Sequence, residues 1–149
     1  MAMKLTLAIA LECSPTECKA QLLDSGGVVL AQYSTQVQAR IQTLPGQLVA
    51  LDLNPVRPIV VYRWHPGTVR QLKGDKVIVD DQHCSLIEAS SATGLEVVLQ
   101  VNDWVFVSFG YANRWEVADL AIDGRPTHIE YLSNYAFPKI EELYRKGAY

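Results

Sequence analysis

The chain has 149 residues, 49% of them hydrophobic and 19% charged, with a formal net charge of −3 at pH 7. This composition describes a globular chain that buries about two-thirds of its unfolded surface, not a disordered one. So small a charge speaks against a broad nucleic-acid footprint, which needs clustered Lys and Arg; only Arg57, Arg63 and Arg70 recur within one short region. No run approaches the roughly 18 apolar residues of a membrane span. The expected setting is cytoplasmic, with no membrane partner and nucleic acid disfavoured.

Period-two alternation dominates from the start. Met3, Leu5, Leu7, Ile9 and Leu11 face one side of a first strand, with Lys4, Thr6, Ala8 and Ala10 on the other. The opening faintly resembles a signal peptide, but its shortness, single Lys and alternation read better as a first strand. A turn at Ser14-Pro15 leads into a return strand over Cys18–Asp24. Ser25-Gly26-Gly27 supplies the positive φ of a tight hairpin before Val28–Tyr33. Gln36–Gln42 alternates Gln and Arg with Val37, Ala39 and Ile41, the pattern of a half-buried strand. Pro45-Gly46 turns the chain into Gln47–Leu53, and Pro55 and Pro58 mark a loop because neither can donate to a ladder.

Ile59–Trp64 is strongly β-prone. His65-Pro66-Gly67 reads as a turn into Thr68–Leu72, and Gly74-Asp75 leads into Lys76–Asp80. A short strand over Cys84–Glu88 precedes a small-residue loop, Ala89–Gly94. Leu95–Val101 and Trp104–Phe109 pattern as a hairpin around Asn102-Asp103, and Arg114–Ile122 and Thr127–Leu132 as another around Asp123-Gly124. The periodicity then changes. Pro138 suits a first helical turn, and Ile140, Leu143 and Tyr144 recur at helical spacing. Glu141 and Glu142 precede Arg145 and Lys146 in the favoured order for helical ion pairs, and Gly147 is a stop signal.

These elements predict an all-β fold, an antiparallel β-barrel of about eight to ten strands with one short C-terminal helix. The expected organisation is a single domain over 1–149, with a β-meander lead-in at 1–56, the barrel portion at 57–137 and the helix at 138–147. A faint duplication joins Pro45-Gly46-Gln47-Leu48-Val49 to Asn102-Asp103-Trp104-Val105-Phe106, each a turn and then an apolar strand. In sequence it is too degenerate to count as a repeat.

Three cysteines, an odd number, argue against a disulfide framework. Cys13 and Cys18 flank a hairpin turn and read as ordinary packed cysteines. The alternatives are a local disulfide between them and a zinc site completed by His83 and Cys84. The chain has no Gly-rich phosphate loop, nucleophile elbow or HExxH pattern. His65, His83 and His128 lie in different segments, as turn or surface residues. Two arginines directly precede tryptophans, Arg63-Trp64 and Arg114-Trp115. Strand neighbours face opposite sides, so an inward arginine can grip a phosphate with its planar fork while aromatic rings stack on a base. The competing reading has the tryptophans filling the core and the arginines solvated.

The order of an Arg-Trp strand, a Gly turn and the strand Lys76–Asp80 is followed by Asn113-Arg114-Trp115-Glu116-Val117, Asp123-Gly124-Arg125, and then Tyr131, Asn134 and Pro138. Over roughly Ile59 to Glu142 this resembles the FomD-like barrel family, whose characterised members include nucleoside di- and triphosphate phosphatases. The resemblance implies a barrel whose final strand brings Tyr131 and Asn134 to a pocket. The family's segment reads Tyr-x-Asn-Ile-x-x-Pro, whereas here the spacing is Tyr-x-x-Asn and Tyr135 follows the asparagine. Where the family continues into an Asp-rich strand that helps hold a divalent metal, this chain gives Lys139-Ile140-Glu141-Glu142-Leu143.

The expectation is therefore a non-catalytic ligand-binding or interaction module, with Arg63, Trp64, Arg114, Trp115, Tyr131 and Asn134 as ligand-binding residues. A nucleotide or phosphate-containing small molecule is the expected ligand, with no metal ligands and no cofactor. Two alternatives stand beside it. One is a nucleotide phosphatase with Mg or Mn held by Asn134 and a glutamate of the terminal helix. The other is a structural subunit that joins a protein partner or a second copy through Tyr111, Tyr135 and Tyr149.

Overall fold

A computed structural model describes residues 3–34, 37, 43–82, 85–109 and 114–145. Among them the chain forms β1 (Leu5–Cys13), β2 (Glu17–Leu22), β3 (Val28–Tyr33), β4 (Leu48–Asp52) and β5 (Ile59–Lys73). There follow β6 (Lys76–Asp81), β7 (Leu86–Ser91), β8 (Trp104–Ser108), β9 (Glu116–Ile122), β10 (Arg125–Pro126) and the helix α1 (Ile129–Tyr144). The fold is all-β and mostly antiparallel with one C-terminal helix, as the alternation predicts. Two compact units divide the chain, one made of Met1–Arg63 and Ser133–Tyr149, the other of Trp64–Leu132.

In the first unit β1 pairs with β2, β2 with β3, and β3 runs parallel to the start of β5. β5 pairs with β4, and β4 returns to β1, so the five strands close into a ring. Small residues line its interior: Ala8, Ala10, Ala20 and Ala31 pack with Val49, Leu51 and Val60. The second unit closes in the same way. β5 pairs with β6 and β6 with β7; β7 runs parallel to β9, β9 pairs with β8, and β8 returns to β5. Valines fill this ring, with Val69, Val77, Val79, Val105, Val107 and Val117 around Ala89. Each fully buried valine stabilises the fold by about 1.5 kcal/mol or more.

The two rings match at several corresponding positions. β1 carries a bulge between Ala10 and Glu12, opposite Ala20 and Lys19; β5 carries one between Val69 and Gln71, opposite Val79 and Ile78. The Ala10 carbonyl accepts from Gly46 N and its N–H donates to Gln47 O, both at 2.9 Å. The Val69 carbonyl accepts from Asn102 N at 2.7 Å and its N–H donates to Asp103 O at 2.9 Å. Gly46 and Asn102 both have positive φ, 88° and 78°, a conformation that glycine and asparagine tolerate best. On the opposite flank, Ser34 N donates to Val60 O and Ala92 N to Val117 O, each at 3.0 Å. The two segments too degenerate to count as a repeat thus occupy one place in two copies of the same topology. The backbones match while the side chains diverge: Leu48 is buried and its counterpart Trp104 is exposed.

Several sequence expectations change for physical reasons. His65-Pro66-Gly67 is no turn, since β5 runs straight through it. Pro66 lies opposite Phe106 of β8, before the pairing with β6 starts at Gly67, a place where a missing donor is better tolerated. Leu95–Val101 is not a strand, because both edges of β8 are taken by β5 and β9. Ala89, Ser90 and Ser91 belong to β7 rather than to a loop. Thr127–Leu132 is not a strand either; β10 has two residues, and α1 starts at Ile129 with Pro138 inside it. The helix is signalled by Leu132, Ala136, Ile140 and Tyr144, all buried at four-residue spacing. The expected strand Gln36–Gln42 lies outside the described residues except for Val37, which is buried and helical.

Gly67 is required by close approach. A Cβ there would lie 2.5 Å from Val79 Cγ1 and 3.1 Å from the Asp80 carbonyl; Ala8 holds the matching place in the first ring. Gly67→Ala is expected to lower unfolding stability in urea by about 1–3 kcal/mol through overpacking. The loss should shrink when Val79→Ala is made in the same chain, and equal losses in both backgrounds would show that Val79 does not set the constraint.

Candidate functional site

The connection between β8 and β9 carries one of the two Arg-Trp pairs. Trp115 is half-buried, its ring centroid 5.6 Å from that of Phe109 and 6.3 Å from that of His65, both tilted by 55°. Its backbone is fixed by Ser90 N, which donates to Trp115 O at 3.2 Å. Arg114 is half-exposed and donates from Nη2 to Glu116 Oε2 at 2.8 Å, while Glu116 is 1% exposed. A buried carboxylate thus holds the half-exposed guanidinium of the residue that precedes Trp115 in the chain.

Register places this connection. Lys73 lies opposite Lys76, Lys76 opposite Ser90, and Ser90 opposite Glu116. The start of β9 is thus linked in register to the β5–β6 turn through β7 and β6, and on its other side to β8, where Ser108 lies opposite Glu116 and Val107 opposite His65. Lys73 and Lys76 bracket Glu88 at 3.0 and 3.5 Å, and the hydrogen bond from Lys73 leads in holding the Glu88 carboxyl below the usual carboxylate range.

A second cluster stands at the start of α1. Asp119 is fully buried and accepts from Leu120 N at 2.8 Å, Thr127 Oγ1 at 3.0 Å and His128 N at 2.5 Å. Its Oδ1 also lies 2.9 Å from His128 Nδ1. Thr127 Oγ1 lies 2.7 Å from the same Nδ1, so Asp119, Thr127 and the half-exposed His128 form one polar cluster. Tyr131 donates its hydroxyl to Thr93 O at 2.6 Å and so pins the Thr93-Gly94 turn.

The other sequence-predicted residues are distributed differently. Arg63 belongs to the first unit, where it is buried and donates to Thr43 Oγ1 at 2.9 Å. Trp64 is fully buried, the packing role weighed for it. Tyr131 and Asn134 sit on α1 rather than on a final strand, Tyr131 in the second unit and the exposed Asn134 in the first. Of the glutamates, Glu142 forms an ion pair with Arg145, and Glu141 is exposed. Lys139 Nζ lies 4.2 Å from the Tyr135 ring centre, a cation–π contact. Tyr111, Asn113, His83, Cys84 and Tyr149 lie outside the described residues. Among the described residues no three His, Cys, Asp or Glu groups are grouped to hold a metal ion.

Asp119, Glu116, Phe109 and His65 were not singled out as site residues by sequence reasoning. The available signal was Glu116 and Asp119 within the apolar stretch Glu116-Val117-Ala118-Asp119-Leu120-Ala121, where a carboxylate in a buried strand needs dedicated partners. A scan of protein-family models matches none to this chain, and a search of curated proteins finds no match either.

Asp119→Ala strands several polar groups at the entry to α1, and a loss of about 3 kcal/mol in unfolding stability is expected. Asp119→Asn, which keeps an acceptor, should lose less. Hydrogen exchange of the first turn of α1 should rise in both; an unchanged rate would assign Asp119 no role in anchoring the helix.

Proposed function

We propose that this chain is a non-catalytic ligand-binding or interaction module, and that Arg114, Trp115, Phe109 and His65 form its ligand site. The ligand class is a nucleotide or another phosphate-bearing small molecule with a planar ring. The observation that carries this reading is the half-exposed Arg114, held by Glu116, directly before Trp115, whose ring meets those of Phe109 and His65. A guanidinium fork suits phosphate oxygens, and an aromatic platform suits a base.

Topology supports the same reading. Five strands in the order one, two, three, five, four, with strands three and five parallel, follow the path of the Greek-key barrels that bind oligonucleotides and oligosaccharides. Those barrels use the face of strands two and three together with the one–two and four–five connections. In the second ring, these connections are the Gly74-Asp75 turn and the segment ending at Trp115. The resemblance of Asn113–Val117 to the FomD-like pattern points to the same ligand chemistry. In this reading Trp64, Arg63 and Tyr131 support the fold.

A panel of nucleoside mono-, di- and triphosphates, each with and without Mg²⁺ or Mn²⁺, tests it by thermal shift and Trp fluorescence. Binding at about 100 times Kd should stabilise the native state by about 2.7 kcal/mol. Trp115→Ala should abolish the shift, and Arg114→Lys, which keeps the charge opposite Glu116 but loses the fork, should weaken it. The proposal fails if no nucleotide stabilises the chain or if Trp115→Ala responds like the wild type. Release of phosphate in the metal-containing arms would replace it with the phosphatase reading.

A further inference from the structure

Cys13 and Cys18 face each other across the β1–β2 hairpin. One step nearer the turn, Ser14 N donates to Glu17 O at 2.8 Å. The alternation of an antiparallel ladder therefore makes the cysteines a non-hydrogen-bonded pair, the kind in which side chains stand closest. Their Sγ atoms are 3.0 Å apart as thiols. The Cα spacing of such a pair, about 4.5 Å, lies within the range that a disulfide spans.

The two thiols are unlike. Cys18 is fully buried among Ala8, Ala20 and Ala31 in the first ring, whereas Cys13 is half-buried beside the exposed turn Ser14-Pro15-Thr16. The hydrogen bond with Cys18 holds the Cys13 thiol below its usual range, against the opposing effect of burial. The same bond, together with burial, pushes the Cys18 thiol up. The Tyr33 hydroxyl lies 3.0 Å from Ser14 O and 3.1 Å from Glu17 O, tying the hairpin end to β3.

We infer that Cys13 and Cys18 form a thiol–disulfide exchange site for small accessible disulfides, with Cys13 attacking and Cys18 resolving. The Cys13 thiolate attacks one sulfur of the disulfide; a mixed disulfide forms, and the first leaving thiolate takes up the proton that Cys13 gave. Cys18 then loses its proton and attacks Cys13 Sγ, and the second thiolate leaves and is protonated. Two protein thiols and one disulfide become one protein disulfide and two small thiols, the small disulfide accepting two electrons. The site belongs to the first unit and is independent of the ligand site proposed above.

The test incubates the full chain, in a Cys84→Ser background, with oxidised glutathione and follows it by intact and peptide mass analysis. The parent should lose two hydrogens and yield a Cys13–Cys18 cross-linked peptide. Cys18→Ser and Cys18→Ala should each trap glutathione on Cys13, at least about tenfold faster than Cys13→Ser traps it on Cys18, following thiolate fraction and access. Having two Cys18 variants keeps the result readable if one fails to fold. The inference is overturned if Cys13 stays unmodified in both, or if Cys18 is capped as fast as Cys13.

Discussion

A strand that ladders to neighbours on both edges of a closed ring must bend, and the rest of this structure follows from how β1 and β5 do so. Each has a bulge after a buried inward residue, Ala10 in one and Val69 in the other. A bulge adds one residue on one side and sharpens the local twist. Each also has a very small residue two positions earlier, Ala8 or Gly67. At Gly67 the reason is explicit, since the neighbouring strand's Val79 fills the space that a side chain would need. Close packing leaves no room to absorb even one methyl group without a shift.

Ring closure explains where chemistry concentrates. Once five strands are closed, their backbone groups are largely committed, and variation is left to the connections and to the outward faces. In the second ring the connection between the fourth and fifth strands carries Arg114 and Trp115, and a buried Glu116 at the start of the fifth strand holds the guanidinium. In the first ring the turn between the first and second strands is flanked by the two cysteines. Equivalent scaffolds thus present different chemistry. Divergence is visible within the strands as well: Leu48 is buried, while Trp104 at the matching position is 59% exposed.

The strands were legible because alternation records a buried face directly: Val28–Tyr33 is recovered with the same bounds, and β1, β4 and β6 within two residues. What sequence could not show was partner choice. Pro66 and Gly67 look like a turn, yet they lie inside a long strand because β6 joins β5 only from Gly67. Leu95–Val101 has strand composition but finds no unoccupied edge of β8 to join. Pro138 looks like a helix start because the helical signal before it, Leu132 and Ala136, is split by polar Ser133, Asn134 and Tyr135. At the candidate site, the Arg-Trp pairs were visible as dipeptides. Only the fold separates Trp64, which is fully buried, from Trp115, which is half-buried against the second core and meets Phe109 and His65.

Ring closure is tested most directly by amide hydrogen exchange under native conditions, read at Ser34 and Ala92, whose N–H groups close the parallel third-to-fifth pairing of each ring. Both amides should exchange far more slowly than those of the exposed turns, with Gly46 and Asn102 similarly protected. Exchange of Ser34 and Ala92 at the rate of an open chain, with the hairpin amides still protected, would mean that the strands form open sheets and that the shared topology is not present.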